Sequence, residues 1–421
     1  MYEKSTLDNG LRLVTYKMPQ RNSAALGIWI GAGGRYEDGS NKGIAHLLEH
    51  LCFKGTGKYS ATQIKERIEG VGGSLNAFTS EEFTCYLTKI IAKHLPLALD
   101  VLSDMVLGPL LALKDLEKEK SVILEEIKMY RDLPQAYVNE LLDELLWPGH
   151  PLGMSLAGTL ESVSAMRRNQ LTDFHGKLYH PKNIVLSVGG DIEHKKVLEL
   201  IAKIFSKAKP RPPVNFKKVS LNQNSSRSKF FYKQTEQSHL AMGYLSCPRE
   251  HPDKHAVGLL HIILGANMSS RLFNEVREKK GLAYEIGTQH RHFYDTGAFF
   301  IHAGVDNRKV FSALSTILKE MKRIAQCPVS RNEFTRAKEY YTGQLLMSLE
   351  DTLDHMLWMG EQESALGRIK SAQDILAEIH KVAIEDLLRV AWDIFKNNNL
   401  SLALIGPQSD EEKDKISSLL K

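Results

Sequence analysis

An α+β fold in two homologous halves, each a mainly antiparallel sheet covered by helices, is predicted by three features of this 421-residue chain. First, residues 207–228 (KAKPRPPVNFKKVSLNQNSSRS) combine three prolines with many Lys, Arg, Ser and Asn residues and almost no apolar periodicity, as an exposed linker does. They divide the chain near its middle, so we expect a first domain over 1–210, a linker over 211–228 and a second domain over 229–421. Second, from Gly43 to Ile90 an apolar helical stretch, a helix ending at Gly70 and two strand-like runs follow one another. The same order returns between His255 and Val305, through Leu259, Val276, Gly281 and the runs Tyr284 to His292 and Ala298 to Ala303, as a duplication would leave it. Third, strand hairpins alternate with long helices, which implies sheets layered under helices.

The individual elements follow from local signals. In Leu7 to Tyr16 (LDNGLRLVTY), Asn9-Gly10 sits between two strand-like runs as a hairpin turn, and Ala25 to Ile30 is a further apolar run. Ser60 and Gln63 form a capping-box pattern at the start of a helix that Gly70 can close. Apolar spacing of three and four residues places helices at Leu95 to Leu107, Asp115 to Arg131, Gln135 to Trp147 and Lys195 to Phe205 in the first half. It places others at Lys309 to Ala325, Arg331 to Leu349 and Ile384 to Phe395 in the second. Local periodicity carries no information on the order in which the strands pair.

Composition narrows the function classes. With 43% hydrophobic and 25% charged residues the chain is an ordinary globular one, which excludes wholesale disorder and fibrous repeats. The net charge of +5, from 55 basic and 50 acidic residues, is too small and dispersed for a nucleic-acid partner. No run approaches the ~18 apolar residues of a membrane span. The opening Met1 to Leu11 (MYEKSTLDNGL) lacks the basic and apolar regions of a signal peptide. Cys52, Cys85, Cys247 and Cys327 lie far apart without a C-x-x-C pair, which fits a reducing compartment and neither a disulfide framework nor a zinc knuckle. A cytoplasmic protein with no nucleic-acid or membrane partner is therefore expected.

The stretch that carries chemistry is GIAHLLEHL (Gly43 to Leu51). On a helix His46 and His50 stand one turn apart on the same face, so two imidazoles can converge on one divalent ion. Glu49 lies close enough to accept a proton from a water beside that ion without binding it. The order H-x-x-E-H is that of an inverted zincin. A hydrolytic zinc site needs a third protein ligand, and the helix from Asp115 to Arg131 offers candidates. At about 100° per residue, Leu116, Glu119, Ile123, Glu126, Ile127 and Tyr130 share one stripe, whereas Glu117 and Glu125 point roughly 130° to 150° from its centre. Two carboxylates on a buried stripe need partners. Glu126 is the expected third ligand and Glu119 the carboxylate expected to orient the site from behind; cover by Lys or Arg from another helix is the alternative for both.

The segments GIAHLLEHLCFKGT (43–56), GGSLNAFTSEEFTCY (72–86), EKSVILEEIKMYRD (119–132) and SSRLFNEVREKKGLAYE (269–285) resemble the pitrilysin family of zinc peptidases. The likeness is nearest to its short members, of the mitochondrial-processing-peptidase and bacterial type, and it spans both halves. The resemblance implies the processing-peptidase-like fold, one zinc ion per chain on His46 and His50, Glu49 as base, and a third glutamate ligand about 76 positions beyond the second histidine, where Glu126 stands. It implies an edge strand at Asn76, Ala77 and Phe78 onto which an extended peptide docks, a mode that reads main chain more than side chains. It further implies that Arg277 and Tyr284 act on the substrate, the one anchoring it and the other helping to polarise the scissile carbonyl.

From these readings we expect a zinc metalloendopeptidase acting on unfolded peptides or short leader segments in a chamber formed by paired chains. Because the zinc motif and the Arg277/Tyr284 pair occur in the same chain, a homodimer is expected. A non-catalytic scaffold or a heterodimer-dependent processing subunit of the same fold is the alternative. His150, His290 and His292 are expected to be structural, and Cys52 to lie in the core.

Overall fold

The computed structural model describes residues 2–220 and 223–420 and comprises two compact units. In chain order the first opens with β1 (Tyr2–Thr6), β2 (Arg12–Lys17), β3 (Ser23–Ile30), α1 (Ile44–Cys52), α2 (Ala61–Glu69), β4 (Ser74–Thr79), β5 (Thr84–Ile91), α3 (Leu95–Leu107) and α4 (Leu113–Asp132), whose last turn from Met129 is counted with the second. Next comes α5 (Pro134–Leu146), which belongs to the second unit. The first unit resumes with α6 (Leu160–Ala165), α7 (Arg168–Leu178), β6 (Ile184–Gly190) and α8 (His194–Ile204). The second unit holds β7 (Arg227–Tyr232), β8 (Gln237–Ser246), α9 (Lys254–Leu264), β9 (Ala283–His292), β10 (Gly297–Asp306), α10 (Val310–Gln326) and α11 (Arg331–Ser348) as far as Leu345. After α12 (Thr352–Leu366), part of the first unit, it ends with α13 (Ala372–Lys381), α14 (Ile384–Ile394), β11 (Leu400–Gly406) and α15 (Asp410–Ser418).

The two sheets run β1-β2-β6-β3-β5-β4 and β7-β11-β8-β10-β9. Setting β1 aside, the five strands of each half occur in the same spatial order, first-fifth-second-fourth-third. In both, the first strand lies parallel to the fifth and every other pairing is antiparallel. The halves are thus homologous in topology, as the repeated order of elements predicts. The strands β6 (IVLSVGG) and β11 (LSLALIG) are buried at every position. They therefore read as continuous apolar runs without the alternation that marks a half-exposed strand.

The compact units do not follow the contiguous domains 1–210 and 229–421. Residues 129–154 belong with the second unit and 346–370 with the first. The reason lies in the sheets, which are apolar on both faces, and each half's own long helices cover only one of them. Behind the first sheet, Met356 and Met359 of α12 pack with Val14, Ala25, Trp29 and Cys85. There Gly360 lets the helix approach so closely that a Cβ would lie 2.1 Å from the Trp29 Nε1. Behind the second, Val138, Leu141 and Leu142 of α5 pack with Ala241, Phe300, Ala403 and Ile405. Within the expected linker, 211–220 carry no helix or strand and β7 already begins at Arg227; residues 221 and 222, like Met1 and Lys421, lie outside the described residues.

Candidate metal centre and the strand beside it

The position of α1 is set at its first turn. Gly43 has φ +92°, a region that other residues resist, and a Cβ there would stand 2.6 Å from the Ala157 carbonyl oxygen. The buried Glu37 carboxylate accepts the N–H groups of Gly43 (3.1 Å) and Ala45 (2.9 Å) at the positive end of the helix, and pairs with buried Lys42 at 3.1 Å. Burial pushes the Glu37 carboxyl upward, against the lowering by Lys42 and the two amides. No sequence pattern announces this anchor, because Glu37 lies in the loop ahead of the helix. Leu47, Leu48 and Leu51 then pin the opposite side of α1 in the core, leaving His46 and His50 half-buried on the other.

Glu126 of α4 meets both imidazoles: its Oε2 is 4.0 Å from His46 Nε2 and 3.9 Å from His50 Nε2. Donor atoms of the three residues all lie within 4.8 Å of one another, and no other such group occurs among the described residues. Both carboxylate separations fall under twice a zinc–ligand bond of about 2.1 Å, so two imidazoles and a carboxylate fit a zinc ion. Burial, then the nearby His50, holds His46 down at about 4, so it offers a lone pair and not a proton at neutral pH. Glu119 is 2% exposed and bonds His50 Nδ1 at 3.2 Å and Lys54 Nζ at 2.6 Å. The helical stripe thus separates these two glutamates from Glu117 and Glu125, whose side chains are 67% and 74% exposed. Tyr130, on the same stripe by spacing, is exposed, because α4 contributes to the core only as far as Ile127. Lys54, just past the end of α1, thus gives Glu119 the lysine cover that was the alternative for both glutamates, whereas no Lys or Arg pairs with Glu126 among the described residues.

Glu49 is buried, and its Oε2 accepts the Thr79 hydroxyl at 2.6 Å. Burial pushes its carboxyl upward, opposed by Thr79 and His50. Thr79 ends β4, the edge of the first sheet, which carries Asn76, Ala77 and Phe78. Asn76 and Phe78 are exposed, and the Ala77 N–H donates to the Asn76 side-chain oxygen at 2.8 Å. The edge and the glutamate are therefore joined through one hydroxyl, a link that no spacing rule reveals.

In the second unit Arg277 sits in a π-helical turn (Phe273–Glu278) with its guanidinium 5.3 Å from the Tyr284 ring centre and 4.7 Å from that of Phe273. Tyr284 is 76% exposed. It is the extra residue of a β-bulge: Gly304 pairs with Glu285 and Val305 with Ala283, which leaves Tyr284 without a partner and turns it out of the sheet. The structure brings these two residues together. The remaining candidates are structural: His150 Nδ1 accepts the Leu152 N–H at 3.2 Å, His292 Nδ1 lies 2.8 Å from the Cys247 carbonyl, and buried Cys52 accepts the Tyr86 hydroxyl at 3.2 Å.

Fold and site together define a class: a duplicated α+β protein in which an H-x-x-E-H helix and a distant glutamate converge in one half only. Comparison with known proteins gives the family. Residues 12–160 match the model "Insulinase (Peptidase family M16)" and residues 165–341 the model "Peptidase M16 inactive domain". The chain is 35% identical to an uncharacterized zinc protease of Streptomyces coelicolor (98% of this chain, 91% of that one). It is 34% identical to the uncharacterized zinc protease YmxG of Bacillus subtilis (97% and 99%). Its fold matches a protease from Helicobacter pylori with a TM-score of 0.92 at 24% identity, covering 97% of this chain and 99% of that one. This chain belongs to peptidase family M16, the pitrilysin family that its motifs resemble. The region matching the model named inactive holds no H-x-x-E-H motif. Among the described residues no helix is long and apolar enough to cross a membrane.

Proposed function

We propose that this chain is a zinc-dependent endopeptidase that hydrolyses unfolded peptides or short leader segments. The observation that carries the reading is the convergence of His46, His50 and Glu126 beside a buried Glu49 that is tied to an open sheet edge. His46, His50 and Glu126 would hold one zinc ion, and Glu119 orients His50 by the bond to its other ring nitrogen. Zinc, when bound, supplies Lewis acidity and makes water acidic near neutral pH. An extended peptide lies along β4, its main chain paired at Asn76, Ala77 and Phe78, and the affinity gained at this edge depends little on side-chain identity. Glu49 has one carboxylate oxygen fixed by Thr79; with the other it takes the proton of the attacking water and returns it to the departing amine. Tyr284 and Arg277 donate hydrogen bonds to the substrate carbonyls as charge develops.

A chain of 47.4 kDa forms the substrate chamber by pairing with a second copy, which excludes folded proteins. All four cysteines are free thiols, which suits the cytoplasm. The test is hydrolysis of a quenched fluorogenic peptide by the purified chain with and without a chelator, together with its mass by light scattering. Chelator-sensitive cleavage by a species of two chains supports the reading. Absence of cleavage with zinc bound would favour a scaffold, and activity only after adding a different chain would favour a heterodimeric processing subunit.

A further inference from the structure

On the α5 side of the second sheet, β8, β9 and β10 and the start of α5 line a half-open pocket of about 330 Å³, in which Gln135, Glu285 and Gln289 remain exposed. Its polar lining is His239 from β8, Glu285 and Gln289 from β9, His302 from β10, and Gln135 and Asn139 from α5. Strand register explains the convergence. Gly304 lies opposite both His239 and Glu285, and His302 lies opposite Gly287, so these side chains rise from one face with glycines between them. A Cβ at Gly287 would stand 2.8 Å from the His302 ring, so the glycine makes room for the imidazole.

Further along this face the polar groups are satisfied: Arg291 pairs with Asp143 at 3.0 Å and lies over the Phe300 ring. In the pocket, apart from Asn139, whose amide donates to the Gln135 carbonyl at 2.9 Å, they are not. Among the described residues the side chains of His239 and Gln289 make no hydrogen bond, and Glu285 comes no nearer than 3.8 Å to His302 Nε2, outside bonding reach. The lining carries one carboxylate and neither lysine nor arginine. Burial holds both imidazoles below their ordinary range, against the raising by Glu285, so each keeps an accepting nitrogen at neutral pH. The pocket lining is therefore rich in acceptors and negative by one charge.

We propose that this cavity binds a guanidinium or ammonium group, with Glu285 as its counter-charge and His239, His302 and Gln289 as acceptors around it. A planar guanidinium, with five donors in a fixed fork, uses such a set most fully. Two sources carry this chemistry. One is an Arg or Lys side chain of a bound peptide, favoured because Glu285 directly follows Tyr284 on β9; this source rests on the peptidase reading. The other is a free small cation, which does not.

The experiment has two arms, each run on the full chain and on Glu285→Gln, a substitution at an exposed side chain. Calorimetric titration with agmatine reads the cation site without any catalysis. The kcat/KM ratio for two peptides that differ only in arginine against citrulline reads the peptide source. We expect wild type to bind agmatine or to prefer the arginine peptide, and Glu285→Gln to weaken that effect at least about tenfold while cutting the citrulline peptide unchanged. Agmatine binding that Glu285→Gln abolishes, with no change in the peptide ratio, assigns the site to a free cation. Neither agmatine binding nor a Glu285-dependent ratio overturns the proposal. A chain that cleaves neither peptide contradicts the peptidase reading, and the agmatine arm still decides the cavity.

Discussion

The helices α1 and α9 hold the same place in the two halves, each joining the second strand of the repeat to the third, yet they treat histidine in opposite ways. In α1, His46 and His50 are four residues apart and share a face. In α9, His255 and His261 are six apart, which at about 100° per residue puts them on different sides. Each finds its own partner: His255 the Glu378 carboxylate at 2.9 Å, His261 the Thr288 hydroxyl at 2.8 Å. The second helix after the sheet differs likewise. Glu333 of α11 is held by both arms of Arg271 at 2.8 and 2.6 Å, whereas Glu126 of α4 has two imidazoles before it and no lysine or arginine paired with it among the described residues. One scaffold thus supports either a closed set of polar pairs or an open set of metal donors. Spacing within a helix, together with the absence of a neutralising cation, decides which.

This contrast can be broken experimentally. The largest effect is expected from Glu49→Gln, which preserves shape and removes the proton acceptor. Peptide hydrolysis should fall by roughly 10² to 10⁴ while metal content is unchanged; retained turnover would remove Glu49 from the role of base. Tyr284→Phe should lower kcat by roughly 10- to 100-fold with zinc still bound, the loss of one donor to developing charge. Zinc lost together with activity would show that Tyr284 supports the fold instead. The smallest effect concerns the closed set. Burial, then neighbouring imidazoles, holds His261 at about 4 and His290 at about 3, so both are neutral in the folded state. Their unfolded forms take up protons below about 6.5, so this stability is complete above that pH and drains away as pH falls toward 4, at about 1.4 kcal/mol per pH unit for each. Thermal unfolding at pH 7 and pH 5 should show the loss, and His290→Gln should lose less than wild type.

Much of the site was legible because its signals are local. The four-residue spacing in α1 and the stripe on α4 select His46, His50, Glu119 and Glu126, and the Ser60/Gln63 box forms as the pattern requires. The helix read at Leu95 to Leu107 agrees to the residue. Other features depend on tertiary context. Strands β6 and β11 lack alternation because they are buried on both faces, and α12 hides its role in a mixed surface where His355 and Glu363 are buried beside Met356. The exchange of α5 and α12 between the units leaves no trace in local periodicity. Neither does the bulge that exposes Tyr284, which exists only as a shift between β9 and β10.

The claim that one half is an open donor set and the other a closed one is tested most directly by the zinc content of the purified chain and two variants. The account predicts about one zinc per chain in wild type, a marked loss in Glu126→Gln, and no loss in His261→Gln, since three ligands are needed for a stable site of this kind. Full zinc content in Glu126→Gln, or a second equivalent that disappears in His261→Gln, would contradict it.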